Sequence, residues 1–357
     1  MKPMTSRQRV LSALNHQASD RVPVNYYATP ELEARIAARL GTTSHEELLD
    51  RLGVDLRYLR PAYTGRPLKR WPDGRFEDLW GTIYRPVAYD TGVYDEADVM
   101  PYASMTTLEQ VADGPGPKVD EFDYLSIPAL LDRYADRAIV AGNAGVPDMI
   151  NGVGRMRGVE RVIMDIGSED PVGLAIMQKR CTFYLAHMER ILVAARGRVD
   201  ILALGDDYGT QRGLLMSPKC WRKLFKPHLK QFIDLGHAYH CKVMLHCCGS
   251  SRMIMDDYHQ IGLDCLDTVQ PEAEGMDPAD LKAHYGSWLS FCGTMSVQHT
   301  LPHGTRDDVA AEARHRIDVV GQDGGLILAS AHAMQPDTPV ENALAMYETA
   351  GSMEQKA

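Results

Sequence analysis

His246 and Cys248 stand two residues apart in Leu245-His246-Cys247-Cys248-Gly249, just past an apolar run of strand length. An imidazole and a thiolate together suit Zn²⁺, a borderline-soft ion that takes nitrogen and sulfur ligands in tetrahedral geometry. Two ligands do not make a site, because catalytic zinc uses three protein ligands and one open position. The competing reading of the pair is a buried strand-end histidine beside a small apolar cysteine. Gly249 directly after the pair permits a tight turn and favours the chemical reading. Cys247, between the two, is expected to point elsewhere and to be structural. His332, in Ala331-His332-Ala333-Met334-Gln335-Pro336, follows another apolar run. It suits a third ligand or a general acid/base, with a capping or hydrogen-bonded histidine as the alternative.

Asp206 and Asp207 follow a third apolar run. Adjacent acids at a strand end point in opposite directions, so one of them is expected to face the site. Its role there would be metal ligand, partner for His246 or acid/base group. Helix N-capping is the alternative, but the next helix is expected to start later, at the N-cap and N1 pair Ser217-Pro218. Asn143 and Gln270 end two further runs and are candidate cofactor-binding positions.

These residues need a scaffold that brings strand ends together. From about residue 137 short apolar runs alternate with helix-length amphipathic segments. The expected strands are 138–142, 201–204, 242–245, 265–269, 289–292 and 326–329. The expected helices between them include 218–239, 252–261, 278–285 and 305–320, with a short one earlier at 6–15. Strand–helix alternation implies parallel strands joined by crossovers. A Rossmann sheet competes, but no G-x-G-x-x-G follows an early strand. The expectation is an α/β fold, a (β/α)8 TIM barrel. A strand at 22–27 makes seven. An eighth must come from 54–110 or from around 124–127. Residues 54–110, rich in Tyr, Pro, Gly and Asp, read as an irregular insertion of hairpins and loops within one barrel domain spanning 1–357. Barrel chemistry sits where strands end, and the polar residues named above all fall there.

Bulk properties narrow the function class. A net charge of −10 and no basic stretch argue against nucleic acid or anionic membrane as a partner. No segment approaches the roughly 18 apolar residues of a membrane span, and no signal-peptide pattern follows the basic N-terminus. Seven cysteines in 357 residues is an odd, sparse set. The expectation is a cytoplasmic chain with reduced thiols, in which a tight Cys/His cluster is metal-binding or catalytic. Cys181, Cys220, Cys241, Cys265 and Cys292 lack ligand spacing and read as core or helix-surface thiols.

Several short stretches, in order, resemble the uroporphyrinogen decarboxylase superfamily over nearly the full chain. They are Arg9-Val10-Leu11 with Asp20-Arg21-Val22-Pro23, Met156-Arg157-Gly158-Val159-Glu160, Asp206-Asp207-Tyr208-Gly209-Thr210-Gln211 with Met216-Ser217-Pro218, and the His246 stretch. Gly324-Gly325-Leu326-Ile327-Leu328-Ala329 and Pro339-Val340-Glu341-Asn342 complete the series. The branch most similar contains corrinoid and coenzyme M methyltransferases, which hold zinc on a His-x-Cys pair plus a later Cys. Here His332 stands where that later Cys falls. The resemblance implies a (β/α)8 barrel and a zinc-dependent methyltransferase that moves a methyl group between a corrinoid on a partner protein and a small thiol or similar acceptor. Barrels of this family often dimerise, so a homodimer is an expectation. Two other functions follow from the same resemblance: a uroporphyrinogen-type decarboxylase, and a non-catalytic barrel that binds a corrinoid protein. The decarboxylases carry an arginine-rich stretch after their first strand, whereas this chain has Asn25-Tyr26-Tyr27-Ala28-Thr29. Recognition of a polycarboxylate leans on bidentate arginine, so that difference disfavours an acidic tetrapyrrole.

Overall fold

A computed structural model describes residues 3–89 and 92–353. Its central sheet has seven parallel strands: β1 (Leu56–Leu59), β2 (Ala138–Pro147), β3 (Ile201–Gly205), β4 (Lys242–His246), β5 (Cys265–Val269), β6 (Ser290–Met295) and β7 (Leu326–Ser330), hydrogen-bonded in that order. The strand order equals the chain order, as a singly wound barrel requires. The segment 22–27 closes the ring. Leu328 N–H donates to Pro23 O and Asn25 N–H to Leu328 O, while on the other side Asp55 N–H donates to Val24 O. The stave between β7 and β1 is therefore the segment 22–27. The eighth strand is β1, inside the region read from sequence as irregular. The rest of that region forms a separate antiparallel sheet of Phe76–Glu77, Ile83–Tyr89 and Gly92–Val99. Residues 124–127 contribute no barrel strand.

The strands from β2 onward are nearly all buried residues on both faces, as covered parallel strands must be. Inward residues Leu56, Val140, Ile201, Met244, Cys265, Cys292 and Ile327 fill the barrel interior. Val10 and Leu14 from helix α1 (Ser6–Leu14) join that interior cluster, so α1 plugs one end. Cys181, Cys241, Cys265 and Cys292 are buried free thiols, and Cys220 is half-buried. The expected helix 218–239 is two helices, Pro218–Leu224 and Lys226–Ala238, because Pro227 cannot donate to the first. The last helix, Val340–Thr349, has Pro339 at its N-cap and no side-chain cap bond. No described helix is long and apolar enough to cross a membrane.

The closing stave is locked by ion pairs. Arg9 from α1 grips Asp20 through Nε (2.6 Å) and Nη2 (2.9 Å) and reaches Asp55 with Nη1 (2.7 Å). Arg21 binds both oxygens of Asp55, and Asp55 Oδ2 also accepts Val24 N–H at 2.9 Å. Asp55 is fully buried between two guanidinium groups. Removing one member of a buried pair leaves a charge uncompensated, at roughly 3–5 kcal/mol. Arg9→Ala should therefore lower urea-measured stability by about 3 kcal/mol, and a loss under about 1 kcal/mol would contradict this role. Its hydrogen bonds to Arg9 hold Asp20 down to about 2, from an ordinary 3.8. A depressed folded value stabilises above the unfolded value, and that stability is lost as pH falls through about 2. Asp20 is exposed, so solvent screening cuts the contribution at pH 7 to about 1 kcal/mol. Asp20→Asn should cost that much at pH 7, and the gap to the native protein should close between pH 4 and 2. A gap independent of pH would refute it.

Candidate metal centre

β4 delivers His246 as its last residue, and the chain turns immediately after Cys248 at Gly249, whose φ is +73°. A β-carbon at Gly249 would lie 2.7 Å from Gly209 C and Thr210 O, so two backbones meet here and only glycine fits. Cys247 is fully buried on the opposite side, as alternation demands. His332 follows β7. The ligand-capable atoms of His246, Cys248 and His332 all lie within 4.8 Å of one another. Cys248 Sγ is 3.4 Å from His246 Nε2, and the two imidazoles meet edge-on with centroids 5.8 Å apart.

A neighbour missed in the sequence fixes His246. Its Nδ1 lies 3.0 Å from Oδ2 of Asp267, a buried residue on β5. Burial raises the Asp267 carboxyl, but the His246 hydrogen bond and charge, with bonds from Cys292 and Thr268, together outweigh it and hold the group below its ordinary value, as a carboxylate. A carboxylate only accepts, so Nδ1–H donates and the Nε2 lone pair faces Cys248 and His332. Burial likewise pushes His246 down, yet the Asp267 bond and charge prevail and hold it above its ordinary value. Burial pushes His332 down, helped by His246. Burial and Asp207 push the Cys248 thiol up.

Strain accompanies the placement of Asp267. The β5–β6 register slips between Leu266 and Val269, and Thr268 takes φ +61° while fully buried. Positive φ is an outlier for a β-branched residue, and such bulges re-aim neighbouring side chains. Asp267 Oδ2 is also 3.3 Å from Tyr27 Oη. Tyr27 and Tyr58 hydroxyls are 3.0 Å apart, and Asn25 Nδ2 donates to both, at 2.7 and 2.9 Å.

The other expected residues separate. Asp207 faces the cluster: its Oδ1 accepts Cys248 N–H at 2.8 Å and lies 4.0 Å from His246 Nε2, while Asn151 donates to Oδ2. Asp206 turns away and is buried, accepting Ile150 N–H. Burial and nearby Asp148 raise it well above its ordinary value, and it lies off the cluster. Gln270 is buried, and its Oε1 accepts Gly249 N–H at 2.6 Å, which braces the loop after His246 rather than facing the cavity. Asn143 does line the cavity. That cavity, of about 880 Å³, opens beside His246, His332, Asp267, Tyr27 and Tyr58. Asp267 carried one sequence signal, a charge inside an otherwise apolar strand. Tyr27, Tyr58 and Asn25 carried none, because their convergence depends on barrel closure.

Two imidazoles and one thiol, converging beside a cavity with one tautomer fixed, form a donor set that can hold a metal ion with a position left open. The fold and this site define a parallel (β/α)8 barrel carrying a His/Cys/His group at its strand ends. The chain belongs to the uroporphyrinogen decarboxylase (URO-D) family, whose sequence profile matches residues 100–353. Among solved structures, a methyltransferase from Methanosarcina mazei overlays 98% of this chain and 98% of its own, with TM-score 0.64 and 20% identity. D-psicose 3-epimerase from Clostridium cellulolyticum H10, solved with D-tagatose, matches 64% of this chain and 82% of its own, with TM-score 0.38 and 12% identity. Dihydropteroate synthase from Anaplasma phagocytophilum, with bound 6-hydroxymethylpterin-monophosphate, matches 43% and 61%, with TM-score 0.28 and 14% identity. No curated protein matches in sequence.

Outer partners of a metal-bound histidine are worth roughly 10–100-fold in metal affinity. Asp267→Asn should weaken zinc binding by about that factor in competition with a chromophoric chelator. Unchanged affinity would show that Asp267 does not orient the ligand.

Proposed function

We propose that the chain is a zinc-dependent methyltransferase moving a methyl group from a corrinoid, carried on a partner protein, to a small thiol or similar acceptor. The observation that carries this reading is the convergence of His246, Cys248 and His332, with Asp267 fixing the imidazole that faces the other two. The likeness to a methanogen methyltransferase over nearly the whole length shows the fold and agrees with this reading without supplying it.

His246, Cys248 and His332 would hold the ion, with one open position toward the cavity. Zinc, when bound, would supply the positive charge that lets an acceptor thiol exist as thiolate near neutral pH. The remaining work belongs to the protein. Asp267 holds His246 in the ligating tautomer. Asp207 accepts the Cys248 N–H and so fixes the loop that aims Sγ. Asp207, whose Oδ1 lies 4.0 Å from His246 Nε2, is the carboxylate assigned to take the proton leaving the acceptor. The thiolate sulfur then attacks the methyl carbon. A C–S bond forms, the cobalt–carbon bond breaks, and its electron pair stays on cobalt. Two imidazoles and a single thiolate leave more positive charge at the centre than a thiolate-rich set, which suits an acceptor other than coenzyme M. A metal-free decarboxylase reading gives Cys248 and the Asp267–His246 pair no task.

Zinc-loaded protein should demethylate free methylcobalamin in the presence of a thiol, followed by the change in cobalamin absorbance. Cys248→Ala and His332→Ala should each lower that rate by roughly 100-fold or more, with folding intact by circular dichroism. Native rates in both variants would overturn the assignment, as would turnover of uroporphyrinogen by the native protein.

A further inference from the structure

The cavity contains one arginine whose charge nothing answers. β1 presents Leu56 and Tyr58 to the cavity, and Arg60, two residues further, continues the same face at the mouth. Cavity-lining carboxylates are already engaged. Glu33 is 2.9 Å from His45, Glu46 binds Arg57 Nε at 2.8 Å, and Asp267 is held by His246. Arg57 is buried in its pairs with Glu46 and Asp50. Arg60 makes no hydrogen bond or ion pair among the described residues, and it is exposed toward the opening. An amide donor, Asn143, lines the same cavity from the adjacent strand. Leu59 pairs with Ala141, so Arg60 comes level with Gly142 and Asn143 follows one residue on. Asn143 Oδ1 accepts Gly145 N–H at 2.8 Å, which leaves Nδ2 unengaged at the mouth.

We infer that Arg60, with Asn143 beside it, is an anion subsite that anchors a carboxylate- or phosphate-bearing end of the cavity's substrate. Guanidinium presents a rigid fork of donors that matches such oxyanions. This rests on the metal-centred reading for the identity of the reacting end. The substrate then spans from the metal ligands to Arg60, with the anion fixing its orientation while the reacting atom lies near His246 and His332. The cavity's volume accommodates a molecule larger than a two-carbon thiol.

The test titrates 3-mercaptopropionate, neutral 2-mercaptoethanol and cationic cysteamine into zinc-loaded and metal-free protein by calorimetry. The native protein should prefer the anionic thiol to the neutral one by roughly tenfold. Arg60→Gln should reduce that ratio to near one while leaving 2-mercaptoethanol affinity unchanged, and Arg60→Lys should restore part of it. Comparing ratios between variants removes the intrinsic difference between the thiols. A ratio that survives Arg60→Gln overturns the inference and leaves Arg60 an ordinary solvated arginine. So does equal weakening of all three thiols. Failure of the metal reading shows separately, as a protein that takes up no zinc. In that case the ratio in metal-free protein still decides the role of Arg60.

Discussion

One hydrogen bond organises the mouth of this barrel: Asp267 Oδ2 to His246 Nδ1, 3.0 Å, with the carboxylate buried. A buried carboxylate is costly unless charge and hydrogen bonding compensate it, and a buried imidazole has two tautomers unless something chooses. Each group resolves the other's problem. The price is visible in the backbone. Thr268 sits at positive φ in a slipped register so that Asp267 can turn toward β4. Strain of this kind persists only where surrounding structure over-determines it. Here the tyrosine–asparagine cluster of Asn25, Tyr27 and Tyr58 presses on the same carboxylate from the opposite wall.

The two ends of the barrel divide the labour. At the end plugged by α1, Arg9, Arg21, Asp20 and Asp55 close the ring through paired charges. At the other end, the strand ends carry the His246, Cys248 and His332 group and the unanswered arginine. Several stretches that resemble the family therefore have different causes. Arg9 and Asp20-Arg21 serve closure, whereas Asp207 and the His246 loop serve the site.

Much of this was legible along the chain. The six strands from residue 138 onward showed as apolar runs because covered parallel strands bury both faces. His246, Cys248, His332 and Asp207 stood out because metal-binding or charged groups directly after such runs have few structural uses. β1 was hidden: Leu56-Arg57-Tyr58-Leu59 carries an arginine whose charge is satisfied by Glu46 and Asp50, partners that pattern alone does not reveal. Asp206 and Gln270 looked equivalent to Asp207 and Asn143 in sequence. Which side of a strand end each occupies depends on register, and register comes from tertiary pairing. Asp267 was overlooked because its partner lies on a different strand, 21 residues away.

The central claim is that His246, Cys248 and His332 share one ion. X-ray absorption at the zinc edge, on protein loaded with one equivalent of zinc, reads that claim directly. The account predicts one tightly held zinc per chain with two nitrogen ligands and one sulfur ligand, and loss of one nitrogen in His332→Ala. A chain that retains no zinc, or a shell without sulfur, would contradict it.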